Sequence, residues 1–155
     1  MGSRYNHFEN VPLGGMLLDE LLRAIAKAFD EEPYAKKMGM RLVEIDYGRA
    51  LVKMENSKDM TNLFGVIHGG VIFSLIDGAF ELAANSYGTI AVALGVNVNY
   101  ISSAKAGEIL YAEAKEVSKT PKISIYDIRV RNDDGRLIAT CQAMAYRKKD
   151  RLPLH

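Results

Sequence analysis

Between Asn62 and Asp77 the chain reads Asn62-Leu63-Phe64-Gly65-Val66-Ile67-His68-Gly69-Gly70, followed by an apolar segment broken by one carboxylate. An amide, an imidazole, two adjacent glycines and an acid therefore fall where a loop turns into a helix. These are groups that can hold a carbonyl and attack it. Around Asp77, Val71, Ile72, Phe73, Leu75, Ile76, Ala79, Phe80, Leu82 and Ala83 cover nearly every side of a helical wheel. That pattern predicts a helix enclosed by protein, with Asp77 short of water. Burying an unpaired carboxylate costs on the order of several kcal/mol or shifts its pKa, so the acid needs partners or a use. Capping a loop or binding backbone amides would satisfy it as well as catalysis would.

Gly69 and Gly70 stand where the apolar periodicity begins, which puts both in the first helical turn, where backbone N–H groups have no intrahelical acceptor. Without side chains they admit a close ligand, and the helix dipole favours the negative charge that a carbonyl oxygen develops under attack. Close packing of helix on sheet would also call for small residues here. Asp77 lies eight residues beyond Gly69, roughly 10–12 Å along the axis, too far for one small group to touch both in one chain. If they act together, the acid of one subunit must face the amide of another, as antiparallel copies of the helix across a two-fold axis allow. The expectation is a homodimer with two equivalent sites at the subunit interface, with a further pairing of dimers left open.

The run Asn-x-x-Gly-x-x-His-Gly-Gly, with Asp77 nine residues after His68, resembles the signature of hotdog-fold acyl-CoA thioesterases of the phenylacetyl-CoA thioesterase type. Phe73-Ser74-Leu75-Ile76-Asp77-Gly78-Ala79-Phe80 is similar to that family's central helix. Gly95-Val96-Asn97-Val98-Asn99-Tyr100-Ile101 and Ala104-Lys105-Ala106-Gly107-Glu108 are similar to its following strand and turn. The resemblance covers about residues 40–147. It implies hydrolysis of an acyl-CoA to free acid and CoA, with no cofactor beyond the CoA carried by the substrate.

By the same resemblance Asp77 is the general base for water or the nucleophile itself, and the Gly69 amide polarises the thioester oxygen. Asn62 holds the carbonyl or the water, and His68 orients the loop and contacts the substrate. The family often has Ser or Thr early in the strand after the helix, whereas Ala91-Val92-Ala93-Leu94 stands here, so Ala93 lacks a water-positioning hydroxyl. The resemblance further marks Asn97 and Tyr100 as pocket or interface residues, and the turn Ser118-Lys119-Thr120-Pro121-Lys122 makes Lys119 and Lys122 the cations for CoA phosphates. Gly70 and Phe73 complete the expected substrate contacts, and Phe64, Val66, Phe73, Phe80 and Tyr87 are candidates to line an apolar tunnel for an aromatic or medium-chain acyl group, with the choice between the two left open. A hydratase or dehydratase on this fold would instead need His68 as its base. A non-catalytic acyl-CoA-binding protein would need neither.

Composition narrows the field. A net charge of +1 over 155 residues provides no general attraction to nucleic acid or membrane. The single Cys141 cannot form an internal disulfide, and His7, His68 and His155 are too scattered in sequence for a metal-ligand cluster. No secretion signal or membrane-length apolar run is present, so a cytoplasmic protein is expected.

These residues need a scaffold. Leu17, Leu18, Leu21, Leu22, Ile25 and Phe29 recur at helical spacing, predicting an amphipathic helix over about residues 16–29 within an N-terminal helical extension of about 14–38. Pro33 opens a second short helix and Gly39 ends it. Short strands near 40–46 and 49–55 flank Tyr47-Gly48. After the central helix come a strand with Val92, Leu94, Val96 and Val98 on one face, then strands near 107–118, 122–131 and 136–147. The apolar phase shifts between Ile123, Ile125 and Ile128, Val130, which predicts a β-bulge at Tyr126-Asp127. Asn132-Asp133-Asp134-Gly135 makes the last hairpin. The expected architecture is one α+β hotdog domain spanning 1–155, an antiparallel sheet wrapped around the long central helix.

Overall fold

The computed structural model describes residues 20–154. The elements, in order, are α1 (Glu20–Glu31), α2 (Pro33–Met38), β1 (Arg41–Asp46), β2 (Arg49–Glu55), α3 (Gly69–Asn85), β3 (Thr89–Tyr100), β4 (Ile109–Lys119), β5 (Ile123–Asn132) and β6 (Leu137–Arg151), with a single 3-10 turn at Lys58–Met60. Every ladder is antiparallel, and the six strands lie in the order β1-β2-β4-β5-β6-β3. The inward rows carry Ala50, Val52 and Met54 of β2, Leu110, Ala112 and Ala114 of β4, Tyr126, Ile128 and Val130 of β5, and Ala139, Ala143 and Ala145 of β6, all buried. The alanines let α3 approach closely, burying Ile72, Leu75, Ile76, Ala79, Phe80, Leu82 and Ala83 against the sheet. Phe80 meets Tyr126 edge to face at 5.3 Å between centroids. Gly78 explains itself by packing: a Cβ there would stand 2.9 Å from the Met40 sulfur.

The C-terminal end of α3 is tied down. The buried Ser86 hydroxyl donates to the Ala83 carbonyl and accepts from the Gly48 amide, each at 2.8 Å. The Asn85 side chain accepts from the Ala91 amide at 2.8 Å, which sets where β3 leaves the helix. Arg147, buried under this end, donates to the Ala84 carbonyl at 3.2 Å, placing a cation at the negative pole of the helix.

Several expectations need correction. The helix is not enclosed on all sides: Gly70, Phe73, Asp77 and Glu81 form an exposed stripe at i, i+3, i+7 and i+11. β5 has no bulge at Tyr126-Asp127. Ser124, Tyr126, Ile128 and Val130 alternate inward without interruption, and the irregularity lies in β4, between Glu116 and Ser118, where Val117 is extra. Ile123 and Ile125 simply face outward. In β3 the register shifts between Ala93 and Gly95, so Val92 shares the outer face with Tyr146 while Val96 and Val98 turn inward beside Ala143 and Cys141. The first helix runs on to Glu31. Met16, Leu17, Leu18, Asp19, His7 and His155 lie outside the described residues. No helix among the described residues is long and apolar enough to cross a membrane.

β3 is an edge strand with one side unpaired among the described residues, and its Val92-Ala93-Leu94-Gly95 run is exposed. A long open edge of this kind is a template for another strand.

Candidate active site

The loop before α3 is held from both ends. The Ile67 amide donates to the Ala104 carbonyl at 2.8 Å and the His68 amide to the Met60 carbonyl at 2.9 Å. Within it, the Asn62 Oδ1 accepts from the amides of Phe64 at 2.9 Å and Val66 at 3.3 Å, an Asx-type turn completed by Gly65 at φ 76°, a left-handed conformation that most side chains disfavour. The Asn62 carbonyl oxygen is thereby committed to the turn, and its Nδ2 is the group left to donate to a water or a carbonyl.

His68 is the N-cap of α3. Its backbone is extended (φ −62°, ψ 137°), and its Nδ1 accepts from the Gly70 amide at 2.9 Å. An Nδ1 that accepts assigns the ring proton to Nε2 in the neutral imidazole. The exposed nitrogen is then a donor, not a base. This removes the main support for the hydratase reading, which needs a basic His68.

Capping accounts for the first-turn amides unequally. Gly70 is taken by the His68 ring and Val71 by the His68 carbonyl at 2.9 Å, whereas the Gly69 amide meets no acceptor among the described residues. It is a free donor at the positive end of a 17-residue helix. Beside it stands Tyr100, whose hydroxyl donates to the Gly69 carbonyl at 3.1 Å. Phe73 is exposed on the stripe one turn along, between Gly70 and Asp77.

Asp77 is on that stripe, about 12 Å along the axis from Gly69. Its side chain is exposed, yet the surrounding protein strips enough water to raise its pKa above the ordinary carboxylate range. Ala93 lines the same groove as Asp77. One turn further, Glu81 is a group that sequence reasoning missed. Burial, and the nearby charges of Glu32 and Asp77, push it up to about 7, and it shares a hydrogen bond with Glu32. Its i+4 spacing from Asp77 was the available signal. Cys141 is buried and its thiol is pushed up to about 11, so it supplies no thiolate at neutral pH.

Other expected contacts are dispersed. Asn97 sits opposite Gln142 on the outer face of the sheet, away from α3. Lys119 lies 3.4 Å over the Tyr87 ring, just beyond the C-terminal end of α3, and Lys122 is exposed in the adjoining turn. Within one chain both are at the opposite end of the helix from Gly69. Thus the chain gathers Asn62, His68, Gly69, Gly70, Phe73 and Tyr100 at the head of α3, and sets Asp77 apart from them. Among the described residues no group of three or more His, Cys, Asp or Glu side chains is placed to hold a metal.

Known proteins resemble this chain in sequence and in fold. The thioesterase superfamily model matches residues 64–139, from the pre-helix loop to β6. A protein of Archaeoglobus fulgidus that carries only a provisional esterase name is 42% identical over 73% of this chain and 73% of its own. Acyl-coenzyme A thioesterase PaaI of Escherichia coli is 31% identical over 77% of this chain and 85% of its own. The structure of that PaaI protein, from the phenylacetic acid degradation operon, superposes with a TM-score of 0.81 over 84% of this chain and 95% of its own. A Streptococcus mutans protein solved bound to acetyl CoA is 27% identical, with a TM-score of 0.70 over 73% of this chain and 91% of its own. The sheet wrapped on a long helix is the hotdog fold of these neighbours.

Proposed function

The chain belongs to the thioesterase superfamily and is a thioester hydrolase, and from that premise we propose that it cleaves acyl-CoA esters in a centre built from two subunits. The observation that carries the proposal is the unmet Gly69 amide at the head of α3, on the same open side of the helix as an Asp77 that it cannot reach in its own chain. Two further features support a two-fold pairing. The open edge of β3 can pair with its own copy, and the exposed stripe of α3 can lie antiparallel to its mate. Such a pair brings the Asp77 of one subunit to the Gly69 of the other, twice. The exposed outer-face residues Val92, Leu94, Met144 and Tyr146 offer a surface on which two dimers join.

In this centre the thioester oxygen accepts from the Gly69 amide, helped by the helix dipole and the Asn62 Nδ2. Asp77, ionised, takes a proton from water as the water oxygen bonds to the carbonyl carbon. Collapse of the tetrahedral adduct breaks the C–S bond, and the CoA sulfur leaves with the proton that Asp77 had taken. His68 contributes a neutral Nε2–H toward the substrate and holds the helix start. Coenzyme A phosphates are assigned to Lys119 and Lys122, the exposed cations of the turn between β4 and β5. The acetyl-CoA bound to the Streptococcus mutans relative supports the choice of a CoA ester. No cofactor beyond the substrate's own CoA is required.

The test is release of free thiol from a panel of aromatic and medium-chain acyl-CoAs by wild type, Asp77→Ala and His68→Ala. Hydrolysis lost in the first and only reduced in the second is expected. Undiminished hydrolysis by Asp77→Ala would defeat the assignment.

A further inference from the structure

A groove of about 760 Å³ starts at Asp77 and follows the C-terminal half of α3. Phe80 and Ala84 of α3, Ala28 and Phe29 of α1, Ile90 and Ala91 of β3, and Leu152 and Leu154 of the tail after β6 line it. Its polar lining is Lys27, Glu31, Glu32, Asp77, Glu81 and Asn85. The walls from α1 and the tail lie outside residues 64–139, the part matched by the superfamily.

The dimensions select among acyl groups. From Asp77 to Asn85, which also lines the groove, is eight residues, about 12 Å of helix. An extended chain advances roughly 3.5 Å for every three bonds, so about ten carbons fill that length. An aryl-acetyl group beside Asp77 would occupy only the near half and leave the apolar far end against water. Resting on the thioesterase reading above, we propose that this groove is the acyl channel and that the substrates are straight-chain acyl-CoAs of about eight to ten carbons. The thioester lies at the Asp77 end, and α1 with the C-terminal tail sets the chain length.

Two measurements separate this from the reading beneath it. The first is kcat/KM over CoA esters from acetyl to tetradecanoyl, with phenylacetyl-CoA included, for wild type and Ala28→Phe. Ala28 is exposed on the groove wall, so the larger side chain fills the channel without entering the core. Wild type is expected to gain about fourfold per methylene up to eight to ten carbons and then level off. Ala28→Phe is expected to lose at least about tenfold on decanoyl-CoA and to stay within about twofold on acetyl-CoA. The second is calorimetric binding of the same esters to Asp77→Asn, which reads the channel without turnover and is expected to show the same length dependence. Cleavage that prefers phenylacetyl-CoA, or that ignores both chain length and Ala28→Phe, overturns the channel while leaving the thioesterase reading intact. Length-dependent binding with no cleavage of any ester supports the channel and overturns the thioesterase reading. Binding indifferent to length overturns the channel in either case.

Discussion

The Tyr100 hydroxyl donates to the Gly69 carbonyl at 3.1 Å, and its ring lies 3.2 Å from where a Cβ on residue 69 would stand. Close packing and an open amide therefore coincide at one glycine. They are separable by substitution. Gly69→Ala keeps the N–H and asks Tyr100, 52% exposed, only to shift by a few tenths of an ångström. Its kcat/KM should fall by less than about tenfold. Gly69→Pro deletes the donor at the first helical position, where proline is tolerated and where His68 already has the backbone that a following proline requires. That variant should lose about 100- to 1,000-fold in kcat. Equal losses for the two would mean that the glycine serves packing alone.

His68 holds the helix start by accepting from the Gly70 amide. His68→Ala removes the N-cap acceptor for Gly70 and should cost about 1 kcal/mol, a fall in Tm of roughly 2–4 °C. His68→Asn restores an acceptor suited to an N-cap and should recover most of that loss in thermal melts. Activity of His68→Ala should drop far less than that of Asp77→Asn. The reverse order would revive a catalytic histidine.

Asp77→Asn removes the proton acceptor and should reduce kcat by about 100- to 10,000-fold with the fold unchanged. Because desolvation raises the Asp77 pKa and the working form is the carboxylate, the acid limb of kcat/KM should lie above the ordinary carboxylate range. A limb centred at or below an ordinary aspartate value in steady-state pH profiles would contradict the crowded setting seen for this acid.

Glu81 makes a pH-dependent stability claim. Its pKa is raised from 4.5 to about 7, by burial first and then by Glu32 and Asp77. A group whose folded pKa is raised favours the folded state fully below its unfolded value, and that contribution is lost as pH climbs through the folded value. Wild type should therefore lose stability between about pH 4.5 and 7 relative to Glu81→Gln. Glu81 is exposed in one subunit, so solvent screens much of the effect, and the gain of Glu81→Gln at pH 8 should be only about 2 °C in Tm. Parallel melting curves for the two proteins across this range would refute it.

What could be read in the sequence was decided locally. Pro33 and Gly39 bracket α2, Tyr47-Gly48 joins β1 to β2, and Asn132 to Gly135 turn β5 into β6, because each relies on backbone preferences of the residues themselves. His68, Gly69 and Gly70 likewise announce the start of α3. Facing is different. Ile123, Ile125 and Val92 are apolar and point outward, so the pattern alone put a bulge in β5 and a uniform face on β3. Asp77 was read as enclosed for the same reason: its apolar neighbours crowd the wheel, but the stripe from Gly70 to Glu81 stays open in one chain. Glu32 is distant in sequence from Glu81, and only the packing of the α1–α2 corner on α3 brings the two acids together.

The central claim is that each active centre takes Asp77 from one subunit and the Gly69 amide from its mate, and subunit mixing tests it most directly. Asp77→Asn and Gly69→Pro should each be nearly inactive alone. Unfolded and refolded together at equal concentration, half of the dimers are mixed, and each mixed dimer has one intact centre and one lacking both groups. Activity should recover to about a quarter of wild type. Mixed dimers confirmed by native mass spectrometry that remain as inactive as their parents would contradict a shared centre.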